Sequence, residues 1–287
     1  MASMFRCMVV AGVGLIGGSL ALAARRRGLA QKIIGYGRGE ENLRLAQRRG
    51  IIDRYALHPD EVSEMADLLI LATPVEATVP VAAAFLSRLE AGCVVSDVGS
   101  VKAKIVREME RLLPSHIPFV GAHPIAGGEQ WGAQAALPDL FSGQRCVLTP
   151  TRNTDPNALR KIGRFWRQVG ARVESMDPYI HDRVLGLVSH LPHLLVYALV
   201  NTLTQTKVDS VDLKEYCGGG FKDFTRIASS RPEIWRDICL ANRQAIGKSL
   251  NDYVKCLERL KRFIRRGQGP LLESEFAGAN EVRRQFS

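Results

Sequence analysis

The 287-residue sequence contains no Cys-x-x-Cys pair and no Cys/His cluster with zinc spacing. Its six cysteines, Cys7, Cys93, Cys146, Cys217, Cys239 and Cys256, are widely scattered. No metal site is expected from such a pattern. Free thiols in a reducing cytoplasm are expected, several of them buried. No run of about 18 apolar residues occurs, so no membrane span is expected. The N-terminus lacks the apolar core of a signal peptide. Aromatic residues make up 7% of the chain. They do not interleave with the basic clusters Arg25-Arg26-Arg27, Arg48-Arg49 and Lys261 to Arg266 in a base-stacking pattern, so no nucleic-acid partner is expected. Acid is the scarcer charge, with 29 Asp and Glu against 39 Lys and Arg and a net charge of +10. The basic clusters read as solvated helix faces, and their summed field suits anionic small molecules. With 46% hydrophobic and 24% charged residues, the rest is an ordinary globular composition.

Against that background, Val9 to Ser19 (Val-Val-Ala-Gly-Val-Gly-Leu-Ile-Gly-Gly-Ser) stands out. An apolar strand from Phe5 precedes it, and the helix formers Leu20 to Ala24 follow. Gly12, Gly14 and Gly17 therefore fall at a strand-to-helix turn in the spacing that binds a dinucleotide. The first allows the turn, the second lets backbone approach a pyrophosphate, and the third lets helix and strand pack closely. The helix N-terminus, starting at Leu15 and Ile16, offers free N–H groups to the phosphates. Strands are expected at 32–36, 67–73, 93–97, 118–121, 146–149 and 172–175, with helices at 40–49, 76–89, 102–113 and 157–169. This alternation predicts a doubly wound parallel sheet of Rossmann type over residues 1–176. Strand signals then fade. Residues 179–206 are long and apolar and 233–266 long and amphipathic, so 177–287 is expected to form an all-α domain for substrate and dimerisation. Its apolar content exceeds what one layer of helices hides, which points to a homodimer. From Gly267, a break and a short final segment are expected.

Chemistry is expected where strands end, because those carboxyl ends face the ligand crevice. Thr73 and Pro74 close one strand and join the cofactor site. The second strand ends in Gly35-Tyr36-Gly37-Arg38, without the acid that would accept from the ribose 2′-hydroxyl of NAD. Arg38 either pairs with the 2′-phosphate of NADP or is a solvated loop residue in an NAD protein; the reading leans to NADP. Ser100, in Asp97-Val98-Gly99-Ser100-Val101-Lys102, is either a helix cap or a ligand contact. His123, held by Pro124 after a strand, is either a structural histidine or a proton acceptor. Ser189-His190-Leu191-Pro192-His193 sits in the apolar helical run, where Pro192 should introduce a kink. Ser189 and His193 share one face, and His190 points elsewhere. Gly218-Gly219-Gly220 leads to Arg226, whose planar fork suits a carboxylate or an interdomain salt bridge.

Together these stretches resemble the prephenate/arogenate dehydrogenase family of tyrosine biosynthesis. The resemblance rests on Gly-Leu-Ile-Gly-Gly-Ser (14–19), Asp-Val-Gly-Ser-Val-Lys (97–102), His-Pro-Ile-Ala-Gly (123–127), Ser-His-Leu-Pro-His (189–193) and Gly-Gly-Gly-Phe-Lys-Asp-Phe-Thr-Arg-Ile-Ala (218–228), in the family's order. It implies oxidative decarboxylation of prephenate to 4-hydroxyphenylpyruvate and CO2, with hydride transfer to NAD(P)+. By matching position, His123 is similar to the catalytic histidine, with Ser100 as its partner on the substrate hydroxyl. Ser189 and His193 match pocket residues, and Arg226 matches the arginine that holds a carboxylate. Glu129, Asp223 and Trp235 match positions that shape or gate the pocket. Arogenate, or both substrates as in a cyclohexadienyl dehydrogenase, is the near alternative. A non-catalytic NADP-sensing regulator is the alternative of a different class. Neither a fused chorismate mutase nor a regulatory ACT domain is expected.

Overall fold

A computed structural model describes residues 3–62 and 66–286. The first strand, β1 (Phe5–Ala11), is buried along almost its whole length. It turns through the glycines into α1 (Leu15–Arg26). Then follow β2 (Ala30–Tyr36), α2 (Glu40–Arg48), β3 (Arg54–Ala56), β4 (Leu68–Leu71), α3 (Val75–Ala84), β5 (Val94–Asp97), α4 (Ala103–Leu112) and β6 (Phe119–Val120). These strands form one parallel sheet in the order β3-β2-β1-β4-β5-β6. The order reverses between β1 and β4, and the crevice outside their carboxyl ends is where doubly wound sheets bind ligands. The register puts Ala11 beside Leu71, so the glycine turn and Ala72-Thr73-Pro74 leave the sheet side by side.

Two buried clusters fill the two faces of this sheet. Met8, Val10, Leu20, Ile33, Leu68, Ile70, Phe165 and Trp166 lie on one side. Val9, Ile34, Leu69, Leu71, Val95, Ile105 and Met109 lie on the other. Helices on both faces explain why the strands read as continuous apolar runs rather than alternating ones.

The later strands depart from the expected single sheet. β7 (Ala122–Pro124), β8 (Arg145–Leu148) and β9 (Arg172–Ser175) form a second, three-stranded sheet, with α5 (Pro156–Gln168) between the last two. β7 and β8 are antiparallel, and β8 and β9 parallel. The stretch read as one strand at 118–121 bends at Gly121, where a Cβ would lie 2.5 Å from Thr149 Oγ1. The bend carries His123 out of the main sheet. β3 was not anticipated: it is only three residues long and lacks an apolar run.

The helical half follows: α6 (Pro178–Leu185), α7 (Leu191–Gln205), α8 (Gly219–Thr225), α9 (Pro232–Ala241), α10 (Arg243–Arg265) and α11 (Gly269–Arg284). A π-helical turn, Gly186–His190, joins α6 to α7. The irregularity expected from Pro192 is thus a π-turn just before it, with Pro192 in the first turn of α7. Such turns cluster at functional sites. The predicted helix at 233–266 is two helices, divided at Asn242. The short final segment is a 16-residue helix, opened by a proline in its first turn. Helical residues Pro178–Gln205 form a 28-residue stretch long and apolar enough, by length and composition, to cross a membrane. The sequence reading missed it because Ser189, His190, Pro192 and His193 interrupt the apolar run.

Candidate functional site

The glycine turn divides its tasks as its spacing predicts. Gly12 has φ +96°, and a Cβ there would stand 2.3 Å from the Ala72 carbonyl oxygen. A Cβ on Gly17 would stand 2.1 Å from the Gly12 oxygen and 2.8 Å from the Ala72 Cβ. A Cβ on Gly14 would meet nothing within 4 Å. Two glycines therefore allow close packing, and the middle one faces open space where a ligand can approach. Gly14 is the N-cap of α1 and makes no side-chain cap, and the first turn, which includes Leu15 and Ile16, holds no acid. Free N–H groups and a positive helix end suit a pyrophosphate. The turn is held from outside: Gly12 N donates to Tyr36 O, and Asn42 Nδ2 donates to Val13 O at 2.8 Å. Asn42 Oδ1 in turn accepts from Ala133 N, tying the turn to the loop beyond His123. Asn42 gave no signal in the sequence. Thr73 lies 3.5 Å, oxygen to oxygen, from Thr78, and Pro74 is the N-cap of α3. Arg38 is exposed just past β2.

His123 is fixed through both its backbone and its ring. The peptide before it is clamped by a fully buried ion pair, Asp97 with Lys102. Asp97 Oδ1 accepts from Ala122 N at 3.1 Å, and Lys102 Nζ donates to Ala122 O at 2.9 Å. The sequence placed Asp97 and Lys102 in a motif without revealing this clamp. The ring meets His181 of α6, with His123 Nδ1 and His181 Nε2 2.9 Å apart. His181 Nδ1 lies 2.8 Å from Asp182 Oδ1. Asp182 also accepts from Lys102 N at 2.8 Å and Ala103 N at 2.9 Å, so it caps α4 from the helical half. Ser100 is half-buried and has no hydrogen-bond partner among the described residues, so the capping role considered for it belongs to Asp182.

Burial is the main force holding His123 well below the ordinary histidine range, and its neighbours His181, Lys102 and His190 act in the same direction, because each would oppose a second positive charge there. A histidine so placed is neutral at physiological pH and can accept a proton.

The helical residues form a continuous chain. His190 in the π-turn is buried, and Asn242 Nδ2 lies 3.0 Å from its Nδ1. Asn242 Nδ2 also donates to Asp182 O at 2.8 Å. Burial lowers His190 to about 4. The half-buried Trp235 stacks on His193, with ring centroids 3.6 Å apart and planes at 19°, and meets His190 edge-on at 6.1 Å. His193 Nδ1 donates to the Ser189 carbonyl at 2.9 Å, which leaves Nε2 as its acceptor. The Ser189 backbone thereby fixes the orientation of the His193 ring. Burial lowers His193, opposed by that hydrogen bond and by Glu129. Glu129 pairs with Arg226, and both are solvent-accessible. Asp223 is exposed on α8 and meets none of the other candidates. The structure thus joins Glu129, His193, Trp235 and Arg226 in one group and His123 with His181 in another, linked through His190, Asn242 and Asp182. The last two, and His181, were missed. The signal available was a charged pair, His181-Asp182, at the head of an otherwise apolar helix.

The prephenate dehydrogenase nucleotide-binding domain matches residues 20–175, and the prephenate dehydrogenase dimerization domain matches residues 177–277. The chain belongs to the prephenate dehydrogenase family. Prephenate dehydrogenase of Bacillus subtilis is 34% identical over 277 residues, 96% of this chain and 75% of that protein. Cyclohexadienyl dehydrogenase of Zymomonas mobilis is 32% identical, over 98% of this chain and 96% of that protein. Among solved structures, prephenate dehydrogenase from Aquifex aeolicus, in complex with hydroxyphenyl propionate and NAD+, has a TM-score of 0.94 at 40% identity, covering 98% of each chain. Synechocystis arogenate dehydrogenase has a TM-score of 0.82 at 30% identity, covering 98% of this chain and all of the other.

Proposed function

We propose that this member of the prephenate dehydrogenase family is itself a prephenate dehydrogenase, oxidising prephenate with a nicotinamide cofactor and releasing CO2. The observation that carries the reading is His123: a half-buried imidazole on β7, with its Nδ1 engaged and its Nε2 without a partner among the described residues. A cofactor-sensing protein has no use for such a base together with an arginine suited to carboxylates.

The open space at Gly14 and the uncapped start of α1 fit a dinucleotide. Backbone at Gly12, Gly14, Leu15, Ile16 and Gly17 would hold its pyrophosphate, and Thr73 and Pro74 would border the nicotinamide half. The bound nicotinamide supplies the hydride acceptor. His123 Nε2 takes the proton of the ring hydroxyl as the carbon beneath it is oxidised. The resulting ketone is conjugated with the ring double bonds, so loss of the ring carboxylate restores aromaticity without a decarboxylation cofactor. Ser100 is assigned to the same hydroxyl. Arg226 holds a substrate carboxylate, taking it in place of Glu129. His193, carried on Trp235 and the Ser189 carbonyl, borders the substrate, with Asp223 at the rim.

Arg38 favours NADP, because a guanidinium and no carboxylate stands where the ribose is read. The apolar face of α6–α7 is assigned to a second copy rather than to a membrane, since the family's dimerization domain spans it. A cytoplasmic homodimer follows from this reading.

The test is nicotinamide reduction with prephenate and with arogenate, each with NAD+ and NADP+. Prephenate with NADP+ should give the highest kcat/KM. Preference for arogenate would move the substrate assignment, and no reduction in any combination would end the enzyme reading.

A further inference from the structure

The orientation of every proton from Asp182 to His123 can be derived from hydrogen-bond chemistry. Asp182 accepts one backbone N–H on each carboxylate oxygen, from Lys102 on Oδ1 and Ala103 on Oδ2. It is therefore an acceptor toward its third neighbour as well. His181 Nδ1 must carry the proton of the 2.8 Å contact with Asp182. In the neutral ring, His181 Nε2 is then a bare lone pair. The 2.9 Å contact between that nitrogen and His123 Nδ1 requires the proton on His123 Nδ1. His123 Nε2 is left unprotonated. His190 obeys the same logic: Asn242 Nδ2 donates to its Nδ1, so its proton sits on Nε2, a buried nitrogen with no hydrogen-bond partner among the described residues. His181 is fully buried and Asp182 nearly so, which removes water as a competing partner.

We propose that His181 and Asp182 are positioning residues for His123: they fix the tautomer whose free Nε2 can act as a base, and they support the positive charge that appears on His123 when it takes a proton. The inference rests on the reading of His123 as the base. The proton from the substrate hydroxyl arrives at His123 Nε2. The His123 Nδ1 proton stays in its hydrogen bond to His181 Nε2, and the carboxylate of Asp182 balances the new charge through His181 Nδ1–H. No proton need leave the chain during the step. The carboxylate comes from the helical half and caps α4 of the sheet half with the same oxygens. Base orientation is therefore coupled to the seating of one half on the other.

The charged and titratable groups packed around this chain are Asp97 on β5, Lys102 at the start of α4, Cys146 on β8, whose thiol burial keeps protonated, His181 and Asp182 on α6, and His190 in the π-turn. They give the test a sign. If His181 acts as a neutral acceptor tied to Asp182, its removal takes a hydrogen bond from protonated His123, and the acid limb of kcat moves to lower pH. If His181 instead acts as a repelling cation, its removal moves that limb to higher pH.

The experiment pairs His181→Phe and His181→Gln with the wild-type protein. Nitrogen-15 spectra of the histidine-labelled wild type should show His123 protonated at Nδ1 and bare at Nε2. The opposite tautomer would overturn the proposal, whether or not any variant folds. His181→Phe should lower kcat by roughly 10²-fold, the scale of general base catalysis. KM for prephenate and cofactor affinity, read by fluorescence titration, should stay within about twofold of wild type, as an indirect role on His123 requires. His181→Gln, whose side-chain oxygen can accept from His123 Nδ1, should recover at least about tenfold of the loss. Equal losses in both variants, or an acid limb moved upward, would contradict the dyad. If wild type oxidises neither prephenate nor arogenate, the functional reading fails, and the nitrogen spectrum still decides the tautomer.

Discussion

The sheet half and the helical half of this chain solve different problems. Around the sheet, strands and helices bury a large apolar core on both faces. The helical half buries few apolar side chains, among them Leu185, Leu191, Val196, Ile238 and Ile246. Most of its other fully enclosed positions are polar: His181, Asp182, His190, Asp237 and Asn242. Its large apolar residues lie outside, including Leu187, Val188, Leu257, Ile264, Leu271 and Phe276. α11 buries nothing. One half is stabilised by its own core and presents backbone to a ligand. The other spends its interior on a hydrogen-bond network and leaves its apolar faces for a second copy to cover, as the family's dimerization domain implies.

The contrast can be broken at several points. The largest expected effect is at the junction: His123→Asn should lower kcat by at least about 10²-fold while cofactor titration stays unchanged. An active variant would mean that the base lies elsewhere. Next is the apolar exterior. Leu257→Glu on α10 should weaken the dimer roughly 30-fold, about 2 kcal/mol, in sedimentation equilibrium. An unaltered dimer would place the contact on another face. Arg226→Ala should raise KM for substrate about tenfold, with a smaller change in kcat. Its exposure and its existing pair with Glu129 keep that figure modest. Smallest is Gly14→Ala, which should raise the cofactor Kd about fivefold and leave the melting temperature alone. The same change at Gly17 should lower the melting temperature, because its Cβ meets backbone rather than open space.

Legibility in the sequence followed the same division. Buried parallel strands appear as apolar runs punctuated by glycine and proline, so β1, β2, β4, β5 and the glycine turn were readable. The second sheet was not, because a bend at Gly121 leaves no mark in an apolar run. In the helical half, composition indicated helices but not their breaks. Asn242 divides two helices at a polar residue with no glycine or proline beside it. Gly267-Gln268-Gly269-Pro270 looked like an ending, yet proline in a first turn is also how a helix begins. Candidates carried by motifs, such as His123, His193, Glu129 and Arg226, were visible as residue types. Their supports were not: Asn42, Lys102, His181, Asp182 and Asn242 each make a deciding contact with a residue distant in the chain. Among the cysteines, Cys7, Cys93 and Cys146 are buried and in no disulfide, as expected, and burial raises Cys93 to about 12.

The central claim is that His123 is the base and that the site keeps it neutral. Its pKa in the folded protein is depressed, so the base form persists below the ordinary histidine value of about 6.5 and is lost only as pH falls through the lowered value. The direct measurement is kcat/KM for prephenate against pH. The account predicts a flat profile through neutrality and an acid limb with its midpoint below about 6.5, with the limb missing from the residual activity of His123→Asn. A midpoint at or above that value, or a limb that survives in His123→Asn, would contradict it.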